Sequence, residues 1–290
     1  MLVEPGGGGV DMQRDAIRSA EGECGFNAFS GQHGPRIAAT PRGCKRLNLS
    51  PEINSMAGSE EGMSINRVGT IDDRVRVKTV LVSVFDKTGL EPLVRGLLAA
   101  LPAPVILSTG GTFTALEKII GSSAGPLRQV SDYTGQPETQ GGLVKTLDFK
   151  IYLGLLTETH NPAHQADLAR TGALPIDLVV SNLYPFERAI AEPGATMEDA
   201  RGNIDIGGPC MVRAAAKNFH RVAVLTDPTD YPALLAEIAA DGCTRLATRY
   251  RLAQKAFRLI ARYDAAIAEH LAATPFDASA TYRVLAGGER

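Results

Sequence analysis

The run Thr79-Val-Leu-Val-Ser-Val84, continued by Phe85-Asp-Lys-Thr-Gly89, decides the fold class. It is an almost unbroken apolar segment of strand length, closed by a polar turn ending in glycine. Leu90–Leu101 then takes up helical spacing, and the unit repeats. Pro104–Leu107 (PVIL) is a second strand, Ser108-Thr-Gly-Gly-Thr112 a second polar turn, and Phe113–Ile120 a second helical stretch. The same reading predicts strands near Arg128–Ser131, Ile151–Leu156, Ile176–Ser181 and Val222–Leu225. Continuously apolar strands alternating with helices indicate an α/β fold with a mostly parallel sheet covered on both faces. Within Thr244–Ala273, apolar residues from Leu246 to Leu271 recur every three or four positions, which predicts a helical C-terminal part with one buried face.

Outward from this core the composition changes. Residues 1–76 are rich in glycine and poor in apolar side chains, and GGGG, GPR, TPRG and SPE interrupt every period. Such a segment buries too little apolar surface to offset its ordering entropy, so it is expected to be disordered or loosely attached. Met56 and Met63 near its end make an over-long translation start one explanation. Residues 77–273 form the expected domain and 274–290 a tail.

Of the 290 residues, 30 are Lys or Arg and 32 Asp or Glu, a net charge of -2. That balance gives no support to a chain that coats nucleic acid, while leaving room for a local anion pocket. No apolar run reaches the about 18 residues of a membrane span, and no secretory leader is legible at the start. Cys24, Cys44, Cys210 and Cys243 are scattered, with neither a disulfide framework nor zinc spacing. The expectation is a soluble, cytoplasmic protein with reduced thiols and no metal.

In an open parallel sheet, ligands bind beyond the carboxyl ends of the strands. Two polar turns fall there. Glycines and hydroxyls at the start of a helix form an anion cradle, so Thr109, Gly110, Gly111 and Thr112 are candidates. Ser83, Lys87 and Thr88 stand on the neighbouring turn, Lys87 adding a full charge. Neither turn has the spacing of a P-loop or a dinucleotide fingerprint. Lys145 and Thr146 follow the pair Gly141-Gly142, and Asn182 and Tyr184 lie in the turn after Ile176–Ser181, with Pro185 holding Tyr184 extended. Asp205, Ile206 and Gly207 precede a helix that ends near Lys217. Taken singly, Asp205 reads as a helix cap and Lys217 as a cation at a helix end.

In this order, SVFDKTG, STGGT, SDYTGQPETQGGLVKTL, NLYPF and IDIGGPCMVRAAAKN resemble the IMP cyclohydrolase domain of the bifunctional AICAR transformylase/IMP cyclohydrolase family, over Val77–Ala273. The resemblance implies a methylglyoxal-synthase-like fold and dehydrative closure of formyl-AICAR to IMP, the last step of purine synthesis, with no cofactor. It implies that Ser83, Lys87, Thr88, Thr109, Gly110, Gly111, Thr112, Thr146, Asn182, Ile206 and Gly207 bind the nucleotide, and that Lys145, Tyr184, Asp205 and Lys217 are catalytic. It further implies a separate formyltransferase in the pathway, because too few residues follow the closing helix for a second catalytic domain. A homodimer is the expected assembly.

The sequence departs from the family at Leu143 (Arg in the family), at Asp148 (His), at Phe85 (Ser), and along Tyr152–His160, with His160 and His164 as candidates to compensate. Rival readings are a non-catalytic module binding a purine nucleotide or phosphorylated metabolite, and methylglyoxal synthase.

Overall fold

The computed structural model describes residues 67–121, 125–137, 144–277 and 281–285. Most of the first segment considered above (residues 1–66), with Cys24, Cys44, Met56 and Met63, lies outside them, as do Gly141, Gly142 and Leu143.

The central sheet is built from β2 (Thr79–Ser83), β3 (Val105–Ser108), β4 (Leu127–Gln129), β5 (Leu178–Ser181) and β6 (Ala223–Leu225), in the spatial order β4-β3-β2-β5-β6. Every pairing in it is parallel, with Val80 opposite both Ile106 and Leu178. Both faces are covered, which is why the strands read as continuous apolar runs. Val80, Val82, Ile106 and Val180 pack against α1 (Leu90–Ala100), α2 (Gly110–Ile120) and α9 (Tyr231–Asp241). Leu81, Leu107 and Val179 face α4 (Phe149–Leu156), α8 (Gly207–Lys217) and the buried stripe Ala253, Ala256 and Ile260 of α10 (Leu246–Ala273).

Between these lie the short α3 (Val130–Thr134), α5 (Pro162–Thr171), α6 (Phe186–Ile190) and α7 (Met197–Gly202). No helix among the described residues is long and apolar enough to cross a membrane.

Three expectations are corrected. Ile151–Leu156 is not a strand but lies in α4: Asp148 caps the helix by accepting a hydrogen bond from the Lys150 N–H at 2.7 Å, and Ile151 and Leu155, four apart, are its buried face. Residues 74–76 lie before the expected domain boundary at Val77, yet form β1 (Arg74–Arg76), which pairs antiparallel with β7 (Cys243–Arg245). Thr244 is therefore in a strand, and the long helix starts at Leu246.

What holds β1 in place is Arg249, whose side chain is fully buried. Its guanidinium donates to the carbonyls of Asp72, Asp73, Phe219, His220 and Thr244, at 2.6–3.1 Å. A second buried arginine, Arg221, donates to Asp177 Oδ1 at 3.0 Å and to the carbonyls of Gly154, Thr157 and Ile176. The other Asp177 oxygen accepts from the N–H groups of Lys78 and Thr79 where β2 begins. Both arginines thus tie loops together at the amino edge of the sheet.

Replacing Arg249 by Leu leaves those carbonyls without a donor in the interior. We expect a loss of about 3 kcal/mol in urea denaturation. Removing the exposed Arg95, paired with Glu91 across one helical turn, changes stability by about 0.5 kcal/mol or less.

Candidate functional site

At the centre of the sheet the chain changes direction: β2 leads through α1 to β3 on one side, and β5 leads to β6 on the other. A crevice opens at such a switch point, beyond the carboxyl ends of the two strands. Here those ends are Ser83 and Ser181, directly opposite each other in register.

The turn after β2 is tied across this crevice. Asn182 Oδ1 accepts from the N–H groups of Phe85 (2.6 Å) and Asp86 (3.0 Å), and Asn182 Nδ2 donates to the Asp86 carbonyl (2.7 Å). Buried Thr112 holds the same turn from the other side, its hydroxyl accepting from Val84 N and donating to Val84 O. Thr88 donates from N–H and hydroxyl to Asp86 Oδ1, and those bonds hold the Asp86 carboxyl below its ordinary range. Asn182, Thr112 and Thr88 therefore shape the turn. Exposed Lys87 folds back, donating to the Phe85 carbonyl at 3.1 Å.

From this turn a continuous set of contacts links the other predicted loops. Gly110 opens α2 with φ 55°, and a Cβ there would stand 2.8 Å from Lys145 Nζ. The ammonium of Lys145 therefore lies directly over the start of α2. Above Gly111 a Cβ would meet nothing within 4 Å, so the turn is open on that side. The next residue, Thr146, is buried, and its hydroxyl lies 3.0 Å from the position of a Cβ on Gly207, the first residue of α8.

Asp205 Oδ1 accepts from the Gly208 N–H at 2.9 Å, and the Asp205 carboxylate also accepts from the backbone N–H of Tyr184. Burial pushes the Asp205 carboxyl above the ordinary aspartate range, against these bonds. The Tyr184 ring is 48% exposed and meets the 50%-exposed ring of Phe85 edge-on, centroids 5.6 Å apart. Ile206 is exposed. Phe85 thus puts an aromatic rim where the resemblance expects a hydroxyl.

A hollow of about 310 Å³ beside Lys145 is lined by Thr109, Ser131, Gln136 and Asp148, among others. Ser131 and Gln136 were not singled out from the sequence, although both lie in the quoted SDYTGQPETQ segment. Tyr263 falls on the face of α10 that the apolar spacing marks as buried, and its hydroxyl accepts from Asp205 N–H at 2.8 Å and donates to the Asn203 carbonyl. A tyrosine on a buried helix face needs a partner for its hydroxyl, which is the signal that could have found it.

Lys217 is not brought to this cluster. It is the last residue of α8, eleven residues long, so it stands roughly 15 Å from Gly207 along the helix axis. The neighbouring Asn218 bonds to the carbonyls of Leu155 and Thr157, past the far end of α4. Nor do the two histidines compensate at Lys145. His160 Nε2 lies 3.0 Å from Asp72 Oδ2, and His164 Nδ1 accepts from Glu158 N–H, both on the amino-edge side. Among the described residues no group of three or more His, Cys, Asp or Glu side chains could hold a metal ion.

With this geometry in view, comparison with known proteins gives consistent matches. Residues 89–210 match the family described as "MGS-like domain", and residues 215–286 the family described as "AICARFT/IMPCHase bienzyme". The chain is 48% identical over 199 residues to the bifunctional purine biosynthesis protein PurH of Sorangium cellulosum, covering 69% of this chain and 37% of that protein. It is 49% identical over 196 residues to PurH of Chlorobium luteolum, covering 67% and 36%. The chain thus spans little more than a third of the length of these curated relatives. A solved structure titled "Crystal structure of ForH" superposes with a TM-score of 0.58 at 33% identity, over 67% of this chain and 99% of that one.

Two substitutions test how the site is held. Asn182→Ala should speed amide exchange at Phe85 and Asp86 about tenfold or more without touching protection near Arg249, because only the carboxyl-edge turn loses partners. Gly110→Ala should cost about 1–3 kcal/mol in thermal unfolding, since it forces a left-handed alanine against Lys145.

Proposed function

Because the chain belongs to the AICARFT/IMPCHase bienzyme family and carries its MGS-like domain, we propose that it catalyses the cyclohydrolase step, closing formyl-AICAR to IMP with loss of water. The observation that supports this reading most is the contact path from Gly110 through Lys145, Thr146 and Gly207 to Asp205 and Tyr184. It links an anion cradle, a cation, a half-buried carboxylate and an exposed aromatic ring through successive contacts.

In the reaction the carboxamide nitrogen attacks the formyl carbon, forming the ring bond and turning the formyl oxygen into a hydroxyl. That oxygen takes one proton from the carboxamide nitrogen and leaves as water with a second from the formamido nitrogen, as the C=N bond forms. Both reacting groups sit on one molecule, so orientation is the main contribution. The phosphate rests on the Thr109–Thr112 turn and Lys87, with Ser83 at the end of β2 beside them. The Lys145 ammonium stabilises charge growing on the formyl oxygen and assists its departure. Asp205 accepts a carboxamide proton, with Ile206 and the Tyr184 ring against the base. Lys217, at the far end of α8, takes no part in this scheme, and the reaction so drawn calls on no metal or organic cofactor.

A second reading, a nucleotide-binding module without turnover, draws on Asp148 and Phe85: an acid lines the Lys145 hollow and a ring replaces a hydroxyl. Turnover separates the two. With formyl-AICAR as substrate, wild type should form IMP well above the uncatalysed rate, and Lys145→Ala should lose about 100-fold or more in kcat. Lys217→Ala should lose far less. Binding of IMP with no turnover would establish the module instead, and release of methylglyoxal from dihydroxyacetone phosphate would establish a lyase.

The raised Asp205 carboxyl carries its own prediction. Burial disfavours its charged form, so the proton leaves only at a pH above the usual aspartate value of 3.8. If the ionised form is the acceptor, kcat/KM should rise with pH through that raised value. Asp205→Asn should abolish this acid limb together with most of the activity.

A further inference from the structure

Past Asn182, on the side away from Lys145, the carboxyl edge carries a groove of about 840 Å³ between α6, the turn after β6 and α10. Its shared wall with the candidate site is the Phe85–Lys87 turn, but its floor and far side are Thr226–Pro228 and α10. Three arginines line it: Arg188 from α6, and Arg258 and Arg262 from α10.

These arginines differ from others on the surface of the protein. Arg95, Arg170 and Arg201 each pair with a carboxylate three or four residues away on the same helix, and Arg245 of β7 pairs with Asp241 at the end of α9. Lys255, in the same groove, is held by Asp227 at 2.7 Å and Asp230 at 2.6 Å. Arg188, Arg258 and Arg262 carry no ion pair or side-chain hydrogen bond among the described residues. Arg258 and Arg262 are one turn apart on α10, where like charges repel. The fold therefore brings three guanidinium groups to one concavity, which the carboxylates of Asp86 and Asp227 also line, with no protein acceptor for the guanidinium donors among the described residues. A guanidinium fork matches two oxygens of a phosphate. Side chains one helical turn apart start about 5–6 Å from each other, so engaging both calls for more than a single phosphate.

We infer that this groove binds the polyphosphate chain of a multiply phosphorylated ligand, at a site separate from the Thr109–Thr112 cradle. The phosphate chain itself is the determinant, so inorganic polyphosphate and a nucleoside triphosphate are alternative sources of one chemistry. Such a ligand lies against the Phe85–Lys87 turn.

The test is isothermal titration of the full chain with inorganic tripolyphosphate, orthophosphate and ATP. Tripolyphosphate should bind about tenfold or more tightly than orthophosphate, as well as ATP does, and more weakly as salt rises. The exposed double variant Arg258→Gln/Arg262→Gln should weaken it about tenfold or more, and Arg188→Gln, on a different element, about threefold. IMP binding should stay within about twofold in all of them. The inference is overturned by unchanged tripolyphosphate affinity in the variants, by equal affinity for orthophosphate, or by absence of binding at millimolar concentration. Tight ATP binding without tripolyphosphate binding also overturns it. None of these outcomes depends on whether the chain turns over formyl-AICAR.

Discussion

Adjacent parallel strands whose connections leave in opposite directions cannot both be roofed at their carboxyl ends, and this constraint at β2 and β5 organises the molecule. The gap is bridged by one carboxamide. Asn182 answers two N–H groups and one carbonyl of the Val84–Gly89 turn, which otherwise would face water. Thr112 does the same from β3's side. Once that turn is fixed, the start of α2, the Lys145 loop and the start of α8 meet around it, because each leaves the same edge of the sheet. Glycines stand where they meet: Gly110 lies under the Lys145 ammonium, Gly207 against Thr146, and Gly208 against Asp205 and Leu183.

The two edges of the sheet divide the work. At the amino edge, Arg221 and Arg249 are buried and fully engaged with carbonyls and Asp177. They join segments far apart in sequence, including β1 to α10. At the carboxyl edge the polar groups are half-open, aromatic rings are exposed, and three guanidinium groups have no ion pair among the described residues. The buried, fully engaged arginines thus lie at one edge of the sheet and the exposed polar groups of the candidate site at the other.

Much of this arrangement was legible beforehand because buried parallel strands announce themselves as apolar runs, and TVLVSV, PVIL and IDLVVS led to β2, β3 and β5. The polar turns after them were legible for the same reason: glycine and hydroxyl residues at strand ends have few other uses. Ile151–Leu156 misled because a short apolar run fits a strand or a buried helix equally, and the deciding signal was the capping Asp148 one turn earlier. The three-residue strands β1 and β7 carry almost no pattern of their own, and form because Arg249 gathers the carbonyls beside them. Lys217 shows a different limit. Its motif is continuous with Asp205 in sequence, but a helix converts that continuity into separation. Tyr263 offered only the need of its hydroxyl for a partner, and the arginines of the groove offered no signal, because only the tertiary fold brings α10 to the turns after β5 and β6.

The central claim is that these carboxyl-edge loops hold one nucleotide between the Thr109–Thr112 turn and the Lys145–Asp205 pair. A crystal structure of the full chain with IMP tests it most directly. The account expects the phosphate on the N–H groups of Gly110 to Thr112 and the purine between Lys145, Asp205 and the Tyr184 ring. IMP seated in the Arg188–Arg258–Arg262 groove, or with its purine away from Lys145 and Asp205, would contradict it.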